Sequence, residues 1–291
     1  MHRPEIAAFL NQKGGVGKTT SVVNIGSGLA ILGKKVLLVD LDPQGHLTGF
    51  LGIAPEQVNK TIYDMLLGDV AAKDALITKE LGARINVNGQ DSRLTISVIP
   101  ADLALTEAEV ELSRLPGREY LLRDSLADIG EEFDYILIDC PPSLGLLATN
   151  ALCAAQKVFV PVQTEYLALE SLTNLHKTIE SVKVSLNPAL EIGGLIATRF
   201  DGRKVLNRTV VERMKEQFGA LLLETMIREN IVLAEAPSYG KDIFSYRPRS
   251  YGAQDYLNLC FELMGRNTTA DAHFTIERGV ISRRPDNVIA M

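Results

Sequence analysis

The sequence predicts an α/β fold with a single doubly wound domain, in which helices cover both faces of a mostly parallel central sheet. Two observations lead to this prediction. Short runs rich in apolar and β-branched residues recur along the 291 residues, and longer segments with helical periodicity separate them. This alternation is typical of parallel strands joined by crossover helices. The composition, 46% hydrophobic and 23% charged, is sufficient to fill one large core.

Each predicted element follows from its local pattern. Short apolar runs predict strands at residues 6–11, 36–40, 95–100, 135–139, 157–162, 194–198 and 222–227. Apolar residues at helical spacing predict helices at residues 19–32, 144–155, 168–186, 206–218 and 253–264. Gly33 is placed to end the first helix, so that residues 6–40 form one βαβ unit. Residues 79–93 contain Gly82, Gly89, two Asn and one Asp, which predicts an exposed loop.

The periodic pattern predicts one domain over residues 1–265 and a C-terminal tail over residues 266–291. We expect this tail to be flexible or packed on the domain. A short basic amphipathic element would combine Phe274, Ile276, Val280 and Ile281 with Arg278, Arg283 and Arg284. Gly279 and Pro285 interrupt that pattern, so a frayed or packed tail is favoured over a membrane-targeting helix.

Charge and cysteine usage exclude several classes of protein. A net charge of −6 argues against a protein that meets DNA over its whole surface, so any nucleic-acid role requires a local basic patch. Cys140, Cys153 and Cys260 form no CxxC pair, which fits neither a disulfide framework nor a cysteine metal site. The first residues lack a signal-peptide core, and no apolar run reaches the roughly 18 residues of a membrane span. We therefore expect a soluble cytoplasmic protein.

Residues 11–20 read NQKGGVGKTT and lead directly from the first predicted strand into the first helix. A loop that wraps a polyphosphate needs glycines, because side chains would block the approach of backbone N–H groups to the phosphate oxygens. The helix N-terminus adds its positive end to the same site. Lys18 would reach the β- and γ-phosphates, and Thr19 would bind Mg²⁺. The predicted nucleotide-binding residues are Lys13, Gly14, Gly15, Val16, Gly17, Lys18, Thr19 and Thr20.

This loop departs from the usual phosphate-binding pattern in one place. Gln12 stands where that pattern needs a glycine, and Lys13 adds a second lysine. The string fits xKGGxGK[ST] and resembles the deviant Walker A motif of the ParA/MinD class of ATPases. The resemblance implies that Lys13 crosses to the nucleotide of a second subunit in a homodimer that sandwiches two ATP molecules. There it would stabilise charge on the γ-phosphate as an arginine finger does.

Two strand ends carry carboxylates. The second strand ends in Asp40 and Asp42 within DLDPQG, at the edge where open α/β sheets place their ligands. Taken alone, capping aspartates in a solvated turn would look the same. The segment is similar to the ParA switch I region, which implies that Asp42 orients the attacking water and that Asp40 supports the Mg²⁺ shell through water. The predicted catalytic residues are Lys13, Lys18 and Asp42.

The strand at residues 135–139 ends in Asp139 and continues as CPPSLG. An apolar strand that delivers one carboxylate beside a phosphate-binding loop is typical of Walker B. Because many buried strands end in Asp, the strand alone would not identify a Walker B motif. The similarity of this string to the ParA switch II region favours that interpretation. The predicted metal-site residues are Thr19, Asp40 and Asp139.

The chain resembles the ParA/Soj family over most of residues 6–264, including further strings at residues 160–170, 235–240 and 247–253. The resemblance implies a slow, Mg²⁺-dependent ATPase whose hydrolysis is stimulated by a ParB-like or other partner protein. Its expected role is chromosome or plasmid partitioning or the positioning of another cargo. ParA dimers also bind DNA nonspecifically, which would associate the protein with the nucleoid.

The basic residues that would contact DNA differ from the family pattern. Arg203 stands where a family arginine contacts DNA, whereas Glu229 and Val232 replace two arginines and Arg228 replaces a proline. Because Glu229 would repel phosphate, a ParA-like positioning ATPase that does not bind DNA is an alternative function. The candidate DNA-binding residues are Arg199, Arg203, Lys204, Arg208 and Arg228, and Arg213 extends the stripe. A solvated, charged helix face is the alternative interpretation.

Three other functions stay open from the sequence. A MinD-like regulator that cycles on membranes would need an amphipathic anchor at the C-terminus. A metal or redox relative, like the nitrogenase iron protein or iron–sulfur carriers, would need paired or dimer-facing cysteines. ATP-dependent ligation of small molecules is compatible with this type of fold, because fold does not fix function.

Overall fold

The structure is a computed structural model and describes residues 3–87, 90–165, 168–265, 274–277 and 280–283. Its strands are β1 (Glu5–Phe9), β2 (Val36–Asp40), β3 (Ile77–Val87), β4 (Gln90–Ile99), β5 (Tyr135–Asp139), β6 (Lys157–Gln163), β7 (Glu191–Thr198), β8 (Phe274–Glu277) and β9 (Val280–Arg283). They form one sheet in the order β7-β6-β1-β5-β2-β4-β3-β9-β8. From β7 to β4 all neighbours are parallel, which confirms the predicted sheet.

Helices cover both faces of this sheet. The described helices are α1 (Lys18–Ile31), α2 (His46–Phe50), α3 (Ile62–Leu67), α4 (Leu105–Leu112), α5 (Leu121–Ala127), α6 (Leu146–Ala154), α7 (Ala168–Ser185), α8 (Val205–Phe218), α9 (Ile231–Glu235), α10 (Ile243–Tyr246) and α11 (Tyr251–Leu263). Two apolar clusters separate the layers. One packs α3 to α8 on the sheet, and the other packs α1, α2 and α9 to α11 on the opposite face. The doubly wound α/β architecture is therefore confirmed.

The parallel register brings the functional strand ends to one edge of the sheet. Asp139, the last residue of β5, pairs with Phe9 of β1 and with Asp40 of β2. On the other side of β1, Gln163 of β6 pairs with Thr198 of β7. Open α/β sheets bind ligands at this carboxyl edge.

The predicted loop at residues 79–93 is wrong, because the described part of this segment belongs to the β3–β4 hairpin. The strands pair antiparallel, and the register shifts between Glu80 and Arg84. Gly82 lies in this irregularity, where an added Cβ would come within 3.1 Å of the Ser245 side chain. The Ala83 N–H donates to the Ser245 hydroxyl at 2.9 Å. The glycine and polar residues that suggested a loop therefore belong to an irregular strand.

The predicted strand at residues 222–227 is also wrong. This segment follows the edge of β7 and makes only isolated bridges, from Leu222 to Leu195 and from Arg228 to Phe200. Between these bridges, the backbone N–H groups of Glu224 and Thr225 donate to the Glu262 carboxylate on α11. The carboxylate of Glu262, which is distant in sequence, therefore accepts the hydrogen bonds that these N–H groups would have donated in a sheet ladder. The local sequence pattern does not reveal this contact.

The described part of the tail extends the sheet. β9 pairs parallel with β3, and β8 pairs antiparallel with β9. Arg278, Gly279, Arg284 and Pro285 of the predicted amphipathic element lie outside the described residues, and the division at residue 265 stays a prediction. Among the helices that the structure describes, none has both the length and the apolar character needed to cross a bilayer.

Candidate functional site

The loop between β1 and α1 is shaped by its glycines. Gly15 and Gly17 have positive φ angles of 72° and 91°, which disfavour residues with a Cβ. At Gly14 and Gly15 an added Cβ would meet no atom within 4 Å, so the loop leaves open space above its backbone. The 14-residue helix α1 begins at Lys18, directly after Gly17. Open backbone N–H groups and a helix N-terminus together favour an anion such as a polyphosphate.

Lys18 lies inside this loop. Its side chain is buried, and its Nζ donates to the backbone carbonyl oxygens of Asn11 at 3.0 Å and Lys13 at 3.4 Å. Burial lowers the pKa of Lys18, although the negative charge of nearby Asp139 opposes that shift. The ammonium group is therefore held at the position where a phosphate in the loop would arrive.

Thr19 and Asp139 form the predicted metal-site pair. The Thr19 hydroxyl donates to Oδ2 of Asp139 at 2.6 Å. Asp139 is fully buried, and its Oδ1 has no hydrogen-bond partner within the described part of the chain. Burial, followed by the charge of Asp40, raises the pKa of Asp139 well above its usual value. An unsatisfied carboxylate oxygen beside a hydroxyl suits Mg²⁺, which binds few protein groups and completes its shell with water and phosphate.

Asp40 and Asp42 differ in their surroundings. Asp40 is fully buried, and its carboxylate accepts hydrogen bonds from the Thr48 N–H at 2.9 Å, the Thr48 hydroxyl at 2.7 Å and the Asp42 N–H at 3.3 Å. Burial raises its pKa to about 6. Both oxygens of Asp40 are therefore occupied in holding the loop that carries Asp42. The predicted role of Asp40 in the Mg²⁺ shell stays a prediction.

The Asp42 carboxylate is closer to the surface than that of Asp40. Its side chain is 8% exposed, and its Oδ1 accepts a hydrogen bond from the Gln44 N–H at 3.0 Å. This bond fixes the carboxylate in the turn that leads into α2. The arrangement is compatible with a base or water-positioning group at the carboxyl edge of the sheet.

Lys13 is turned away from the interior of the loop. Its Nζ contacts Oε2 of Glu165 in the same chain, and both side chains are 45% exposed. Its backbone N–H donates to the Asn11 side-chain oxygen at 3.0 Å, which fixes the backbone of Lys13. The ammonium group is therefore at the surface, where a second subunit would have access to it.

A cavity of about 540 Å³ opens beside the phosphate-binding loop. Gly15, Val16, Gly17 and Thr20 form one side. The other side contains residues that the sequence did not single out for this purpose, namely Thr198, Arg199, Ile227, Arg228, Glu229, Asn230, Ile231, Leu233, Ala234 and Tyr256. The Thr198 hydroxyl donates to the Val16 carbonyl oxygen at 2.8 Å and ties β7 to the loop. The signal for these residues was the strand end of β7, since ligands bind at that edge.

Comparisons with known proteins agree with this geometry. Residues 4–192 match the AAA_31 family, which is described as an AAA domain. The chain is 43% identical over 269 residues to the chromosome partitioning protein ParA of Caulobacter vibrioides (strain NA1000 / CB15N), covering 92% of this chain and 96% of the relative. It is 44% identical over 259 residues to the sporulation initiation inhibitor protein Soj of Bacillus subtilis (strain 168), covering 89% and 98%. The chain belongs to the ParA/Soj family of P-loop ATPases.

A solved structure with the same fold carries a different name. The cobyrinic acid a,c-diamide synthase from Mycobacterium smegmatis, with bound ATP analog and magnesium, aligns with a TM-score of 0.75 and 35% identity. The alignment covers 90% of this chain and 94% of that protein. The ParA/Soj fold therefore includes a protein that holds the nucleotide and metal expected here.

In the described part of this ParA-family protein, the cysteines that a metal or redox site would use are buried. Its three cysteines are free and buried, and no group of three His, Cys, Asp or Glu side chains in that part could hold a metal. Burial strongly raises the pKa of Cys140, the residue after Asp139. A buried thiol with a raised pKa is a poor nucleophile and metal ligand.

The predicted DNA-binding cations of this ParA-family protein are held by acidic partners or carbonyls. Lys204 pairs with Glu229 at 2.6 Å, and Arg199 approaches the same carboxylate at 3.7 Å. Arg203 pairs with Asp201 at 3.0 Å but is 91% exposed. In addition, Arg208 donates to the Gly202 carbonyl oxygen at 2.6 Å, and Arg228 pairs with Asp255 of α11 at 2.5 Å. Three of these cations contact Asp201 or Glu229, and Arg228 is separately fixed to α11.

Proposed function

We propose that the protein is an ATP-driven dimeric switch that acts in chromosome or plasmid partitioning or positions another large cargo. Its cofactors are ATP and Mg²⁺, and an activating partner of ParB type times hydrolysis. The observation that carries this proposal is the arrangement of Lys18, Thr19 and Asp139 in a glycine-lined loop, with Lys13 exposed at its rim. The sequence identity of 43% to the ParA relative and 44% to the Soj relative, over about nine-tenths of this chain, supports the proposal.

Each residue of the loop has a distinct role in this proposal. The backbone N–H groups of residues 14–20 bind the phosphates, and Lys18 neutralises the β- and γ-phosphate oxygens. Thr19 and Asp139 would hold a magnesium ion, which would supply positive charge to offset the charge that builds up on the phosphates. Asp42 positions the attacking water. Asp40 fixes the Asp42 loop through Thr48 and contributes to the metal shell only through water.

The position of Lys13 supports a dimer. A lysine that points out of its own loop contributes little to its own nucleotide, whereas a second copy placed face to face would receive it. In this arrangement two ATP molecules lie between two subunits, and hydrolysis of ATP separates the subunits. The protein acts in the cytoplasm, and no membrane anchor is required.

Asp42→Ala is expected to separate dimerisation from hydrolysis. Removing the carboxylate leaves the phosphate-binding loop intact, so ATP still binds, but the rate of hydrolysis falls about 10²–10⁴-fold because the water loses its base or positioning group. The measurement combines an ATPase assay with size-exclusion chromatography in the presence of ATP, in which light scattering gives the mass of the eluting protein. Asp69→Ala, at an exposed position, is the matched control. An Asp42→Ala protein with normal turnover would contradict the assignment.

We further propose that the ATP-bound dimer binds DNA nonspecifically but weakly, through Arg203, Lys204 and Arg208. Glu229 restrains this binding, because it neutralises Lys204 and places a negative charge beside the phosphates. Lys204 in turn lowers the pKa of Glu229, so the carboxylate stays ionised. DNA binding therefore requires that phosphates compete with Glu229 for the same cations.

Glu229→Ala is expected to strengthen DNA binding in ATP, and Arg203→Glu to weaken it. The measurement is the retention of a DNA duplex at several salt concentrations, where losing one phosphate contact lowers the salt slope by about one. Glu216→Ala, on the exposed face of α8, is the control. ATP affinity is measured in parallel, since Glu229 also lines the cavity. Salt-sensitive DNA binding that is identical in all variants would place the DNA surface elsewhere.

A second candidate function is ATP-dependent amide synthesis, which is favoured by the name of the Mycobacterium smegmatis structure. An amide synthase consumes ATP in proportion to the amount of carboxylic acid and nitrogen donor that it converts. A partitioning switch hydrolyses ATP without either and responds to a protein partner. Assaying turnover with and without these additions separates the two functions.

A further inference from the structure

Arg199 has a backbone conformation that stands out in the described part of the chain. Its φ angle is 50°, and no other described residue except glycine has a positive φ. A long, Cβ-bearing side chain is strained in this region, so such residues persist where the surrounding structure holds them and tend to mark functional sites. The strained residue follows β7 directly, at the carboxyl edge of the sheet.

The neighbours of Arg199 are fixed on both sides. Thr198 is bound to the phosphate-binding loop through the Val16 carbonyl oxygen. Phe200 is bound to the segment across the cavity, because its N–H donates to Ile227 at 3.0 Å and its carbonyl oxygen accepts from Glu229 at 2.9 Å. Arg199 therefore spans the junction between the two walls of the cavity, and its residue lines that cavity.

The other cation of the cavity is neutralised. The guanidinium group of Arg228 pairs with the buried carboxylate of Asp255 through several hydrogen bonds and lies over the Tyr251 ring, with 4.2 Å from its Cζ to the ring centroid. Among the described residues, Arg199 has in contrast one ion-pair contact, a long one of 3.7 Å with Glu229, and Glu229 has a shorter contact with Lys204. Arg199 is thus the cation of this cavity that can turn to a ligand with little loss.

The cavity lies beyond the phosphate end of the site. Gly17 and Thr20 form its near side, and apolar side chains from residues 227–234 together with Tyr256 form its far side. A nucleoside attached to phosphates in the loop would extend into this space. An arginine there can donate hydrogen bonds to a base or ribose and can also lie flat on a base.

We propose that Arg199 contacts the nucleoside part of bound ATP, and that this contact accounts for its strained backbone. The inference rests on the proposed ATP site but concerns the base and ribose rather than the phosphates. It also gives Arg199 a role other than the DNA contact suggested by its charge. In this role Arg199 is a binding residue that selects a nucleotide over a bare polyphosphate.

The test compares ATP with inorganic tripolyphosphate, both with Mg²⁺, in calorimetric titrations of the full chain. We expect Arg199→Ala to weaken ATP binding roughly 10- to 100-fold, the range for losing hydrogen bonds from a charged group. Tripolyphosphate binding should not change. Arg93→Ala, an exposed arginine outside the cavity that also pairs with a glutamate, is the matched control and should bind both ligands as the wild type does.

Arg199→Gly separates a binding role from a structural one. Glycine adopts positive φ without strain, so this variant should be at least as heat-stable as Arg199→Ala while losing the same ATP affinity. Equal loss for ATP and tripolyphosphate, or no loss for either, would overturn the inference. Loss of affinity that tracks a fall in stability across both variants would also overturn it. Wild-type protein that fails to bind ATP would refute the proposed function as well, so the two failures are distinguishable.

Discussion

Lys18→Ala is expected to abolish ATP binding, with a loss of affinity of at least about 100-fold. Charge-assisted hydrogen bonds from one ammonium group to two phosphates are each worth about 1.5–3 kcal/mol, which is more than tenfold apiece. Lys18 is buried within the loop and points at its carbonyl oxygens, so no surface cation can replace it. Removing it also takes away the positive charge that opposes the upward shift of the Asp139 pKa.

The measurement for Lys18→Ala is a calorimetric titration with Mg²⁺ and ATP. Lys35→Ala, an exposed lysine just before β2, controls for the loss of one positive charge from the chain. Thermal unfolding without nucleotide checks that the variant folds, since Lys18 also bonds two backbone carbonyl groups. Binding of ATP to the folded variant with wild-type affinity would disprove the assignment of residues 14–20 as the nucleotide site.

Lys13→Ala is expected to leave ATP binding within a few-fold of the wild type and to slow hydrolysis about 10³–10⁵-fold, as for loss of an arginine finger. The physical reason is the direction of the side chain. Lys13 contacts Glu165 at the surface and therefore contributes little to its own loop, whereas in the proposed dimer it stabilises charge on the partner's γ-phosphate. The measurement is ATP turnover at saturating ATP, with affinity determined separately.

Mixing two inactive variants shows whether Lys13 acts in the partner's site. In a heterodimer of Lys13→Ala with Asp42→Ala, the site of the Lys13→Ala subunit keeps Asp42 and receives Lys13 from the other subunit. A 1:1 mixture should therefore recover roughly a quarter of the wild-type rate, because half of the dimers are mixed and each has one complete site. If Lys13 acts within its own subunit, no site is complete and the mixture stays inactive.

The main errors of sequence interpretation occurred where local and nonlocal interactions compete. The glycines and polar residues at 79–93 suggested a loop, but Leu81 and Ala83 are buried in the core, and Ser245 accommodates the irregularity at Gly82. The apolar run at 222–227 suggested a strand, but Glu262 takes its N–H groups. In both cases the deciding partner is distant along the chain, and an apolar pattern carries no information about such a partner.

The parallel sheet, the phosphate-binding loop and the acidic strand ends could all be predicted from the amino-acid sequence. These features depend on contiguous residues: glycines that must expose backbone N–H groups, a lysine and threonine at fixed spacing, and apolar strands that end in Asp40 and Asp139. The contacts between groups that are distant along the chain became known from the three-dimensional fold. It placed Lys13 on Glu165, fixed Arg228 to Asp255, and formed the cavity from β7, residues 227–234 and Tyr256. Such contacts arise from packing between elements, which spacing along the chain does not encode.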